Sequence, residues 1–224
     1  AIYFGVGVKE DKDRGDQLYR QACDDGEGTA CLQLAVNARA PAGTKDASVT
    51  LRFADRACKL KIADGCNEAG YVYYTAQKPV RWDVGEAATY YAKGCELGSS
   101  LACANQGELW RFGINGPADA KKSFALYTKS CDAGSPDGCS GAAYFIARGE
   151  GGAPKDLKKA IEIYRKSCDL DVGDACKGLA DLLEAGKLGT PTETARLRLK
   201  ALNLTEKLAE SNPAYMYWLG TYHR

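Results

Sequence analysis

Ten cysteines stand at Cys23, Cys31, Cys58, Cys66, Cys95, Cys103, Cys131, Cys139, Cys168 and Cys176, five pairs whose members lie eight positions apart. The first members of successive pairs are separated by 35, 37, 36 and 37 residues. A spacing this regular marks a repeating unit, and a period of about 36 residues is that of a solenoid, in which each unit packs on its neighbours. The fold is therefore set by what one unit does.

Superposing the five copies on their first cysteine shows that unit. Twelve positions earlier stand Asp11, Asp46, Asp83, Asp119 and Asp156, after stretches rich in Gly or Pro such as Gly152-Ala153-Pro154. An Asp there reads as a helix N-cap. Large residues four or five positions before the cysteine (Leu18/Tyr19, Phe53, Tyr90/Tyr91, Leu126/Tyr127, Ile163/Tyr164) combine with small ones such as Ala87 and Gly94 into a stripe of helical spacing. This is helix A. Turns such as Asp24-Asp25-Gly26, Glu96-Leu97-Gly98 and Asp132-Ala133-Gly134 end it. Helix B opens on small residues, Ala30, Gly65, Ala102, Gly138 and Ala175, and returns to small ones at Ala35, Gly70, Gly107, Ala143 and Ala180, which lets two helices approach closely.

The cysteine pairs admit three readings. Zinc would want four ligands at short spacings, and the only histidine is His223. Redox-active pairs would be closer in sequence, and five equivalent catalytic sites in one chain is a poor hypothesis. Structural disulfides across each helical hairpin fit best, since the geometry can bring two sulfurs together. Each closes a short loop and stabilises by about 2–3 kcal/mol in the chain-entropy model. Five of them predict an oxidising compartment, the periplasm or extracellular space, with a mitochondrial intermembrane space second.

Other functions find little support. With 30 basic and 29 acidic side chains there is no field suited to nucleic acid. A mean hydropathy of −0.36, without a long apolar run, predicts no membrane insertion. No serine has a lysine three positions on, as a β-lactamase nucleophile requires, and His223 has no second histidine to work with. Gly149-Glu150-Gly151-Gly152 lacks the Lys-Ser/Thr of a phosphate loop. The sequence asks for no metal or cofactor and predicts a protein that is not an enzyme.

The unit Asp-x11-Cys with an aromatic four before the cysteine, then x7-Cys after a small residue, resembles the Sel-1-like repeat in its disulfide-stapled form, as in the Helicobacter cysteine-rich proteins. Asp156 through Cys176 and Asp119 through Gly134 carry the likeness most clearly. It implies an all-α, right-handed α-α superhelix of TPR-like hairpins with a concave groove lined mostly by helix A. It also implies an interaction scaffold. Cysteine-rich members carry a penicillin-binding, weakly β-lactamase label, whose mechanism this chain lacks the residues to perform.

On this reading residues 1–224 form one repeat domain. Residues 1–10 are the end of a repeat begun earlier, and 11–45, 46–82, 83–118, 119–155 and 156–189 are five Cys-paired units. Residues 190–224 form a cysteine-free cap, in which Leu208 and Met216 take the cysteine positions. Thr190-Pro191-Thr192-Glu193 opens its first helix as a capping box, and a second helix carries Tyr215 to Gly220. Leu199 and Leu202 are expected on its core face, with Arg196, Arg198 and Lys200 solvated.

Two surfaces stand out for binding. Arg56, Lys93, Lys129 and Lys166, each two positions before a first cysteine, would form a basic ladder suited to carboxylates, although a base in a helix's last turn also complements its dipole. Aromatic residues, among them Tyr73, Trp82 and Trp110, cluster in the second and third units, and the loop Gln77-Lys78-Pro79-Val80-Arg81-Trp82 offers Arg81 and Trp82 as contacts. The segment Ala38 to Gly43 is a blander loop. The function expected is an exported, monomeric scaffold binding a protein or peptide in an adaptor, regulatory, host-interaction or toxin-immunity role. The alternative is a peptidoglycan- or penicillin-binding protein with at most trace β-lactamase activity.

Overall fold

In the computed structural model, residues 11–39, 47–75 and 79–211 are described. Among them are eleven α-helices and no strand. These are α1 (Lys12–Asp24), α2 (Gly28–Ala38), α3 (Ala47–Lys59), α4 (Ala63–Tyr74), α5 (Val84–Glu96), α6 (Ser100–Phe112), α7 (Ala120–Asp132), α8 (Pro136–Arg148), α9 (Leu157–Asp169), α10 (Gly173–Ala185) and α11 (Pro191–Ser211). The chain divides into two units, Ala1–Leu97 and Gly98–Arg224.

In the first unit each helix from α1 to α5 packs on the next, and α2 also meets α4. In the second, α6 to α11 pack in the same succession, and α8 stands between α6 and α10 and touches both. The even-numbered helices up to α10 are the B helices of the repeat; α2 lies beside α4 in the first unit, and α6, α8 and α10 lie side by side in the second.

Helix starts follow from the aspartates. The carboxylates of Asp11, Asp83, Asp119 and Asp156 accept from the backbone N–H of Arg14, Glu86, Lys122 and Lys159 at 2.9, 3.0, 2.9 and 2.9 Å, satisfying an amide that the helix leaves unpaired. Asp46 lies outside the described residues. Three of the five turns between cysteines use glycine in the left-handed region, Gly26, Gly98 and Gly134. The other two put Lys61 and Asp171 there, at φ 66° and 63°.

Disulfides join Cys23–Cys31, Cys58–Cys66, Cys131–Cys139 and Cys168–Cys176 across Cα separations of 4.8, 4.5, 4.4 and 4.7 Å. Among the described residues no cysteine is a free thiol. Close helix approach depends on the small residues: a Cβ on Gly65 would lie 2.5 Å from that of Ala57. Tyr91, Tyr127, Tyr164 and Phe53 from the A helices are all buried, as their stripe predicts.

The cap helix α11 begins as expected, with the Glu193 amide donating to Thr190 Oγ1 at 3.1 Å. Its face is set differently. Thr194, Leu197 and Ala201 are buried with Leu204 against them, whereas Leu199 and Leu202 are 58% and 53% exposed. Two positions along an α-helix is more than half a turn, so the stripe 194-197-201-204 turns Leu199 away from α10. Lys200 and Arg198, expected in solvent, are bonded. Lys200 Nζ donates to the Cys168 carbonyl at 2.7 Å and pairs with Asp171 at 2.8 Å, while Arg198 pairs with Asp181 and Glu184. Arg196 is exposed. Residues 1–10, the side chain of Leu208 and the segment from Tyr215 to Gly220 lie outside the description.

Candidate functional site

The second unit holds a groove of about 570 Å³. Its walls are the B helices α6, α8 and α10, with only Tyr127 and Tyr164 coming from A helices. The expected helix-A lining is thus corrected. The large A-helix residues are consumed as the floor: Tyr127 wedges between Gly107 and Gly141, and Tyr164 lies against Gly178, where an added Cβ would come within 2.6 Å of its ring. Missing side chains on the B helices admit these rings, and the remaining B-helix surface faces the opening. Burial pushes both tyrosine hydroxyls far above their ordinary ionisation range, against the opposing pull of Arg111, so both stay neutral.

Two guanidiniums lie against the Tyr144 ring on α8. Arg111 Cζ lies 3.7 Å and Arg148 Cζ 4.5 Å from its ring centroid, and the ring meets Phe145 edge-on at 5.2 Å. Arg111 also lies 4.7 Å over Phe112. Both arginines sit in the last turns of their helices, where cations complement the dipole. Asp137 and Asp174 occupy the first turns of α8 and α10. Asp137 opens to the groove, yet the surrounding walls strip enough hydration to raise its pKa above the ordinary carboxylate value, and Asp174 adds repulsion. Glu108 and Lys177 also line it, about one turn from Arg111 and Asp174 respectively, and Asp181 is drawn aside by Arg198 at 3.3 Å. Aromatic faces, planar guanidiniums and carboxylates on a rigid wall are the chemistry of recognition.

None of the eight binding residues expected from sequence lines this groove. Arg81 and Trp82 lie in the segment before α5, both exposed, Trp82 by 58%. Gln77 and Lys78 of that loop fall outside the described residues. Tyr73 is half-buried and stacks on Tyr90 at 5.8 Å, whose hydroxyl donates to Asp55 at 2.7 Å. Trp110 is half-buried with Lys122 Nζ 4.1 Å from its ring.

The ladder residues stand in the last turns of α3, α5, α7 and α9, as their spacing requires. Arg56 is spent on Asp24, donating to its carboxylate at 2.9 Å and its carbonyl at 3.1 Å. Lys93 is half-buried, Lys129 exposed, and Lys166 borders a shallow hollow of about 770 Å³ along α9. From the Ala38 loop, Arg39 Nη1 donates to both carboxylate oxygens of Glu68, at 2.9 and 3.1 Å, with the Arg39 Cζ 5.7 Å from the Tyr71 ring, while Ala40 to Gly43 lie outside the description.

A usable signal for the groove did exist. Arg111 and Arg148, Asp137 and Asp174, Gly141 and Gly178, and Tyr127 and Tyr164 are each 37 positions apart, one repeat period. Columns on helix B carry the site, as columns on helix A carry the lysines.

A model of the Sel1 repeat matches residues 1–27, 63–99, 100–135 and 136–172. No curated protein matches the chain by sequence. Among solved structures, a Sel1 repeat protein from Oxalobacter formigenes superposes with a TM-score of 0.74 at 21% identity, over 89% of this chain and 80% of its own. A protective antigen present in uropathogenic Escherichia coli strains, displaying an SLR fold, also reaches 0.74 at 19% identity; the match spans 98% of this chain but 54% of the antigen. An immunity protein from Pseudomonas aeruginosa reaches 0.50 at 18% identity, over 88% of this chain and 74% of its own.

Proposed function

The chain belongs to the Sel1 repeat family, whose arrays are protein interaction scaffolds, and on that premise we propose that it is an exported, non-catalytic scaffold binding one protein partner through the groove of its second unit. The observation that carries this reading is the Tyr144 ring with the Arg111 and Arg148 guanidiniums against it, over a floor of buried tyrosines. Aromatic and arginine side chains fixed in one rotamer bind at low entropic cost, which is why they dominate binding energy at interfaces. The disulfides support export, because such bridges form and persist chiefly in oxidising surroundings. Among the described residues no helix is long and apolar enough to cross a membrane. The immunity protein among the structural matches makes a toxin-immunity role the specific form to test first. The exposed pair Arg81 and Trp82 is assigned as a second contact.

The test is affinity capture from cell-envelope and secretome extracts, with the oxidised protein and its Tyr144→Ala variant as parallel baits. One protein retained near stoichiometry by the first and lost by the second is the expected result. Recovery of muropeptides in place of a protein would put the cell-wall reading first, and equal capture by both baits would remove the groove.

A further inference from the structure

The groove is charged at both ends, with opposite sign, and few of those charges are neutralised by an ion pair, although Arg111 also bonds the Tyr127 hydroxyl. Among the described residues Arg111 makes no salt bridge, and Arg148 reaches only Glu150, at 4.0 Å. Among the described residues neither Asp137 nor Asp174 is in a salt bridge, and Asp174 repels Asp137. Helix α8 carries one member of each pole, Asp137 in its first turn and Arg148 as its last residue. At 1.5 Å per residue the poles are about 16 Å apart, which is twice the screening length of roughly 8 Å in physiological salt. They cannot neutralise one another across that distance. Helix α6 adds Arg111 to the basic pole and α10 adds Asp174 to the acidic one, so each pole is built by two neighbouring helices. Gly141 and Gly178 also line the groove, the space of their missing side chains filled by the Tyr127 and Tyr164 rings.

We infer that this groove takes an extended segment of a partner protein in one direction only, with a basic side chain at Asp137 and Asp174 and an acidic one at Arg111 and Arg148. The proposal rests on the groove being the partner site and adds the partner's chemistry and polarity. An extended chain advances about 3.3 Å per residue, so the two charged side chains stand about five residues apart. The guanidiniums, which lie against Tyr144, offer planar donor groups to a carboxylate, and an incoming ammonium or guanidinium relieves the repulsion between the two aspartates.

The test is selection of a displayed random-decapeptide library on the immobilised oxidised protein. Enriched peptides are expected to share a Lys or Arg and an Asp or Glu with about four residues between them, always in the same order. A synthetic peptide from that set should bind Arg148→Glu about tenfold more weakly or worse. It should bind Arg148→Lys nearly unchanged, and recover on Arg148→Glu when its own acidic residue becomes Lys. Circular dichroism of each variant checks that the helices persist. Peptides of single charge sign, or with the pair in both orders, overturn the polarity. If such peptides still depend on Tyr144, the groove survives as the partner site while its polarity does not. Peptides indifferent to Tyr144→Ala, or no enrichment at all, overturn both.

Discussion

Lys61 and Asp171 occupy the left-handed conformation that Gly26, Gly98 and Gly134 take at the equivalent turns, and the two are not alike. Asp tolerates that region better than Lys, and Asp171 is further held by Lys200 at 2.8 Å, which keeps its carboxyl below the usual range. Lys61→Gly should therefore raise stability by up to about 1 kcal/mol in urea denaturation, less the entropy that glycine returns to the unfolded chain. Asp171→Gly should show no gain, and equal effects from both would sink the strain account. Gly141→Ala tests the opposite kind of glycine. Its hydrogen faces the Tyr127 ring, so a methyl there should cost about 1–3 kcal/mol by overpacking. Glu68 supplies a pH signature. Its burial, helped by Asp64, raises its pKa despite the Arg39 hydrogen bonds. A carboxyl raised on folding favours the folded state at low pH and loses that contribution as pH climbs from the ordinary value of 4.5 through the raised one. The melting-temperature gain of Glu68→Gln over the parent should thus be larger at pH 7 than at pH 4, and a gain that is flat or reversed would contradict it.

At the scale of the element, helix ends were legible from sequence because capping is local. An Asp twelve residues before a cysteine specifies both ends of helix A, and the four described examples all cap. Asp156→Ala should cost about 1 kcal/mol and fray α9 from its N-terminus, visible as faster amide exchange at Lys158 and Lys159. Helix faces were legible only where the repeat enforced them. In α11 no cysteine marks the phase, several leucines compete for the inward side, and docking on α10 selects Leu197 and Ala201 over Leu199 and Leu202. The groove was hidden for a related reason. Which surface of a helical hairpin opens to solvent depends on where the large side chains of one helix find gaps in the other. Here that is decided by Gly107, Gly141 and Gly178 receiving Tyr127 and Tyr164. Read only as packing residues, those tyrosines conceal that they leave α6, α8 and α10 exposed.

For the molecule as a whole, the disulfides connect stability to compartment. A bridge that closes a loop of about nine residues stabilises by about 2–3 kcal/mol, chiefly by restricting the unfolded chain. Several such bridges together match the 5–15 kcal/mol that separates a typical folded protein from its unfolded state. The rest of the core is light: among its fully buried side chains cysteines outnumber large apolar ones, and alanines fill much of the remainder. Repeat arrays also gain only nearest-neighbour packing, so a unit that loses its bridge has no distant contacts to compensate. Full reduction should consequently leave the helices frayed and the chain without a sharp melting transition near physiological temperature. The single pair Cys168→Ser with Cys176→Ser should cost about 2–3 kcal/mol in the second unit while its neighbours persist. The check is circular dichroism with thermal melting before and after reduction, with alkylation under denaturing, non-reducing conditions to count free thiols. A reduced protein that melts as cooperatively as the oxidised one would show that packing alone suffices. The bridges would then no longer bear on where the protein can work, and the exported role would lose its physical support.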